Sequence, residues 1–158
     1  KDHNSHDDYG PGNYGPLALE LRGASSYLNN LKNGYQGVIN VGEWIDTEPG
    51  NMSGPTMDGV VYRLNQCPHS PICSIESYYS DCSKVMIVPI FDPSELAGRD
   101  QVRVVGFAAF LLKGVEGGGN ESEVTGHFLE IVPPEGLRYD IDPDQVDYGL
   151  RTARLIDD

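Results

Sequence analysis

Basic residues are scarce in this chain: 11 Lys plus Arg stand against 24 Asp plus Glu, a net charge of -13 over 158 residues. Such a field repels phosphate backbones and anionic headgroups, so nucleic acid is not an expected partner. Long apolar runs are missing too. The longest, Phe107 to Leu112, falls far short of the roughly 20 residues that span a bilayer, and no charged-then-apolar leader opens the chain. The sequence begins at Lys1 rather than Met, as a processed product or a trimmed piece would. Membrane contact is therefore expected only through an N-terminal anchor missing from it.

Complete catalytic signatures are also lacking. There is no P-loop, no Gly-x-Gly-x-x-Gly after a strand and no nucleophile elbow. His69 and His127 are candidates to meet Cys82 or Ser83 as a base and nucleophile pair, but no local signature surrounds them, and His127 beside Phe128 and Leu129 reads as a packed or surface residue. No catalytic or cofactor-binding residue is assigned, and a non-enzymatic protein is expected.

Cysteine is sparse, and what there is clusters. Cys67, His69, Cys73 and Cys82 put four soft or borderline ligands into a short window, and Zn2+ takes four such ligands tetrahedrally. The pattern Cys-x-His-x3-Cys-x8-Cys matches no common zinc module. One disulfide with a spare thiol is the preferred reading, three reduced cysteines the next, and a metal site at these four residues the third; the pairing of any bridge stays open. A bridge would persist outside the cytoplasm, which an acidic, Tyr- and Gly-rich surface also suits. Two further clusters are weaker. Asp140, Asp142 and Asp144 alternate as in a calcium loop, but Gln145 and Arg151 stand where Gly and Glu are needed. Lys1-Asp2-His3 would chelate copper or nickel only with a free α-amine, and a flexible tail is the preferred reading.

What is present patterns into one α+β domain over 14–158 behind a tail at 1–13, which carries no apolar periodicity and breaks at Gly10-Pro11-Gly12. Ala24, Tyr27, Leu28 and Leu31 mark one face of a helix of about ten residues that Gly34 ends. Val38, Ile39, Val41, Trp44 and Ile45 predict strand pieces interrupted at Gly42. Gly54-Pro55 opens a second helix with Pro55 as its first residue and with Met57, Val60, Val61 and Leu64 inward, leaving Asp58, Arg63 and Gln66 wet. The Lys84 to Phe91 run predicts a strand whose first half is central and whose far end, at Pro89, lies at an edge or bulge. Val102 to Leu112 predicts the most buried strand. Lys113 to Glu123, with Gly117-Gly118-Gly119-Asn120, predicts a mobile hairpin connection, and Val124 to Val132 an antiparallel return. Tyr148 to Ile156 reads as a closing strand. Two short N-terminal helices packed on a small, mostly antiparallel and possibly barrel-like sheet are expected.

Asn13-Tyr14-Gly15-Pro16-Leu17-Ala18-Leu19, the helix ending at Gly34-Tyr35, and above all the loop Thr47-Glu48-Pro49-Gly50-Asn51-Met52-Ser53-Gly54-Pro55-Thr56 resemble the soluble region of TadE/TadG-like proteins. Val85 to Pro89 and Val104 to Phe110 extend the resemblance over roughly 13–132. Such proteins accompany the Tad (Flp) type pilus-assembly systems of bacteria and carry an amino-terminal membrane helix. The resemblance implies an extracytoplasmic, cell-surface or secreted protein, a minor pilin-like subunit or assembly factor acting through contacts with other pilus or surface-appendage proteins. It implies no catalytic residues. Two alternatives stay open: a secreted metal-binding protein or hydrolase using the Cys67 to Cys82 window, and a secreted structural protein that assembles as a homo-oligomer or polymer.

Overall fold

A computed structural model describes residues 15–92 and 101–129. The expected tail at 1–13, the 140–144 acidic loop, the 148–156 strand and the last residues of the 124–132 strand lie outside them.

The fold is α+β, and one strand organises it. Among the described residues the chain forms α1 (Ala24–Asn33), β1 (Trp44–Asp46), α2 (Ser53–Asn65), β2 (Val85–Phe91), β3 (Gln101–Gly118) and β4 (Glu121–Leu129). β3 pairs antiparallel with each of the other three strands. Ala109, Phe110 and Leu111 are bonded on both sides, to β2 and to β4. Within the 102–112 run Val102, Val104, Phe107, Ala109, Leu111 and Leu112 are all buried, with α2 packed against the strand and Ile45 clustered with its first half.

The sheet is open, which corrects the barrel expectation: β1 and β2 flank β3, β4 also pairs β3, and no described strand joins β2 to β4. Among the described residues β2 is therefore an edge strand, where a central first half was expected. It is half-buried along its whole length, and an edge accommodates Pro89, which lacks a donor for a second ladder. The expected hairpin connection is also shorter than foreseen. Gly114 to Gly118 pair with Thr125 to Glu121, so the strands run on to a tight turn at Gly119 and Asn120.

α1 matches the expected span, and Gly34 at φ 82 closes it by donating its N–H to the Asn30 carbonyl at 2.9 Å. It packs on α2, which in turn packs across β3 and β4. Helix α2 departs from its predicted register. It starts at Ser53, making Pro55 its third residue, still in the turn whose N–H groups lack intrahelical acceptors. Its buried positions are Ser53, Thr56, Gly59 and Val60, whereas Val61 is exposed. The cause is close approach of the helices: a Cβ on Gly59 would collide with the Leu31 side chain, so small residues line the contact where larger ones were expected.

Beneath the β1 end of the sheet, Ile45, Val102, Val104 and Phe107 form a core flanked by Leu17, Leu19, Ile39, Val41, Ile87 and Phe91. Of the Val38 to Val41 piece expected as strand, Ile39 and Val41 join this core without strand structure, and Val38 is exposed.

The 47–56 loop is fastened at both ends. Glu48, 6% exposed, accepts the Gly23 N–H through both carboxylate oxygens at 2.9 Å, which anchors the start of α1. Asn51 Nδ2 donates to the Gly119 carbonyl at 3.2 Å and to Asn120 Oδ1 at 2.9 Å, and Ser53 Oγ donates to the Glu121 carbonyl at 2.8 Å. The hairpin tip is thus held against the start of α2. Glu48→Ala is expected to destabilise the domain by about 2 kcal/mol, since it removes a charge-assisted acceptor and leaves a peptide donor unmatched in a part-buried site. Urea unfolding of the two proteins measures this.

Candidate metal centre

Cys67, His69, Cys73 and Cys82 converge. Their ligand atoms, three Sγ and one imidazole nitrogen, all lie within 4.8 Å of one another. The closest pairs are Cys73 Sγ to His69 Nδ1 at 3.3 Å, Cys82 Sγ to Cys67 Sγ at 3.4 Å and Cys67 Sγ to His69 Nδ1 at 3.8 Å. A tetrahedral Zn2+ site with Zn–S near 2.3 Å and Zn–N near 2.0 Å has edges of about 3.5 to 3.8 Å. All three cysteines are free. The Cys67–Cys82 separation of 3.4 Å is well beyond the roughly 2.05 Å of a bonded pair.

Local structure explains the convergence. Cys67 leaves the end of α2 and Cys82 precedes β2, and those two ends are tied together. Arg63, on the last turn of α2, donates from Nη1 to the Ser83 carbonyl at 2.9 Å while Ser83 Oγ donates back to the Arg63 carbonyl at 2.9 Å. Arg63 Nε also donates to the Leu31 carbonyl. This corrects the expectation of a wet Arg63: burial pushes its guanidinium pKa down, and its fork is used to join α1, α2 and the β2 entry. The Ser74–Ser77 pair, bonded N–H to carbonyl in both directions at 2.9 and 3.1 Å, turns the chain between Cys73 and Cys82. His69 is oriented by stacking on Tyr79, with ring centroids 4.2 Å apart and planes 16° from parallel.

Peptide donors point at two of the sulfurs. The N–H groups of Cys73 and His69 donate to Cys67 and hold its thiol down at about 6. Burial pushes the Cys82 thiol up to about 11, against the opposing donation of the Lys84 N–H. In both cysteines one donor is the amide two residues on, Cys67 with His69 and Cys82 with Lys84. A chain turning tightly around a ligated sulfur presents its following amides in this way, and such outer contacts orient ligands and temper thiolate charge.

The surroundings are equally telling. Between α2 and β2, residues 66–84 contain no helix or strand. Their buried members are Cys73, Cys82 and Lys84, while Ile72, Ile75 and Tyr79 are 67%, 42% and 58% exposed. This stretch has no apolar core of its own, so the cysteine and histidine cluster is its interior.

The sequence-predicted metal residues are therefore all brought together, and with them one of the base and thiol pairings, His69 with Cys82, whereas His127 is not part of the cluster. No carboxylate joins the cluster among the described residues. His127 instead lies on β4 opposite Leu111 and lines a cavity of about 310 Å3 with Glu76, Lys113 and Leu112. Lys84 was not foreseen as part of the site. Its signal was an ammonium-bearing residue two positions after a cysteine, at the head of an apolar strand. Comparison with protein-family models, with curated proteins and with solved structures finds no match to this chain.

Proposed function

We propose that this chain is a non-enzymatic, zinc-stabilised domain in which Cys67, Cys73 and Cys82 as thiolates and His69 through Nδ1 hold one Zn2+. The observation that carries this reading is the closed set of four ligand atoms within 4.8 Å of one another. Three sulfurs and one imidazole favour Zn2+ over the hard, oxygen-seeking Mg2+ and Ca2+. With all four positions taken by protein, no site is left for an activated water, which separates a structural centre from a hydrolytic one.

The surface-appendage role implied by the TadE/TadG resemblance is proposed as the setting in which the domain works, outside the cytoplasm and through protein contacts. The 47–56 sequence supports that setting. Among the described residues no helix is long and apolar enough to cross a membrane. Recovery of the native protein from envelope or surface filaments is the expected outcome, and recovery from cytosol alone contradicts the setting.

Elemental analysis of protein purified without chelator tests the centre itself. One zinc per chain is expected, together with an intact mass showing three free thiols after the metal is removed in acid. Metal-free protein whose mass is short by two hydrogens would instead establish the disulfide.

A further inference from the structure

We propose that Lys84 is the counter-ion of the zinc centre, a positioning residue whose charge sets the affinity of the site. The inference rests on the zinc reading above. Zn2+ bound by three thiolates and a neutral imidazole carries one net negative charge, and on its buried side, at Cys73 and Cys82, that charge is unfavourable unless an opposite charge lies close by. Lys84 supplies one. The residue is 8% exposed, an uncommon state for a lysine. Its Nζ donates to the carbonyl of Cys73, itself one of the ligands.

Among the described residues no carboxylate pairs with Lys84. Glu76, which lines the same cavity, takes its hydrogen bond from the Ser74 hydroxyl and feels the charges of His127 and Lys113. The hydrogen bond from Nζ to the Cys73 carbonyl sets the ammonium beside a ligand residue, and on that contact the zinc-loaded cluster is assigned as its anionic partner. Position is fixed from the backbone as well. The Lys84 N–H donates to Cys82 and its carbonyl accepts from Leu112 N–H at 2.8 Å, so a single residue links two ligands to the most buried strand.

Charge and hydrogen bond are separable. Lys84→Gln keeps an N–H donor for the Cys73 carbonyl and loses the charge, Lys84→Met loses both, and Lys84→Arg keeps both. Zinc affinity of the full chain is measured by competition with a chromophoric chelator, and the Co2+-loaded proteins are compared by absorption. Both neutral variants are expected to bind zinc roughly 10- to 100-fold more weakly, the usual cost of losing an outer-shell partner, and arginine to restore most of the affinity. The sulfur-to-Co2+ charge-transfer band should move in Lys84→Gln while the tetrahedral ligand-field bands persist, since a nearby charge shifts the former and geometry sets the latter. A glutamine variant with wild-type affinity and an unmoved band overturns the proposal, as does a folded arginine variant that binds as weakly as glutamine. If arginine does not fold, the neutral pair decides: equal losses support the charge, and a loss in methionine alone overturns it in favour of the hydrogen bond. Wild-type protein that takes up no zinc sinks the metal reading, whereas zinc-loaded wild type beside an unaffected glutamine variant sinks this inference alone.

Discussion

Cys82→Ser is expected to abolish stoichiometric zinc binding and to lower the thermal midpoint by on the order of 10 °C, the shift that about 4 kcal/mol produces in a domain of this size. Structural zinc sites contribute their binding energy to folding, so loss of a ligand is felt as loss of stability. The effect should be large here because residues 66–84 have no alternative interior: Cys73 and Cys82 are each 2% exposed, and the neighbouring Ile72 and Tyr79 face solvent. Without the metal, polar and ring contacts such as the Arg63–Ser83 bonds, the Ser74–Ser77 turn and the His69–Tyr79 stack are left to offset the entropy of ordering this long connection. The same fall should follow when wild-type protein is stripped by a strong chelator. The serine variant, already metal-free, should then be indifferent to the chelator. Equal midpoints for wild-type protein with and without chelator would contradict the structural role of the metal, whatever the variant does.

Gly126→Ala is the second large effect expected, a destabilisation of about 3 kcal/mol. Gly126 pairs with Leu112 across β3 and β4. A Cβ there would collide with the Leu111 carbonyl oxygen and with the Phe110 ring, whose nearest atoms are 2.5 and 2.6 Å from it. A flexible side chain can swing aside, but a ladder carbonyl cannot, so the strain falls on the pairing of β3 itself. Phe110 is also constrained by its edge contact with Phe128, at 5.1 Å between centroids. Gly118→Ala is the control. It lies on the same hairpin, a Cβ there meets nothing within 4 Å, and its change should stay within about 0.5 kcal/mol. Denaturant unfolding of the two variants side by side distinguishes local crowding from a general intolerance of the hairpin to alanine.

Local patterning made the helices and the strands legible, and it failed where tertiary contacts override it. The 24–33 helix was readable because Tyr27, Leu28 and Leu31 recur at helical spacing and Gly34 can adopt the positive φ that ends it. On the inward face of α2 apolar size points correctly to Val60 and wrongly to Val61, because a close helix crossing selects the small Thr56 and Gly59. The barrel expectation assumed that every strand finds two neighbours. One 18-residue strand, β3, in fact serves all the others in turn. At the metal cluster the residues themselves are visible in the sequence, but their spacing matches no common zinc module and so ranks a metal site behind a disulfide. What spacing could not convey is that Arg63 and Ser83 bring the two ends of the window together, nor that Lys84 would be buried beside it.

The four residues proposed as zinc ligands, and Lys84 with them, fall within residues 67–84. A chain emerging from a ribosome or an export channel therefore presents a complete chelating set before any residue of β3 has appeared. Capture of the ion can come first, leaving a preformed hook at the head of β2 onto which the long central strand later adds. Order of synthesis would then favour the metal over a misplaced bridge, because the thiols are occupied from the moment they can meet.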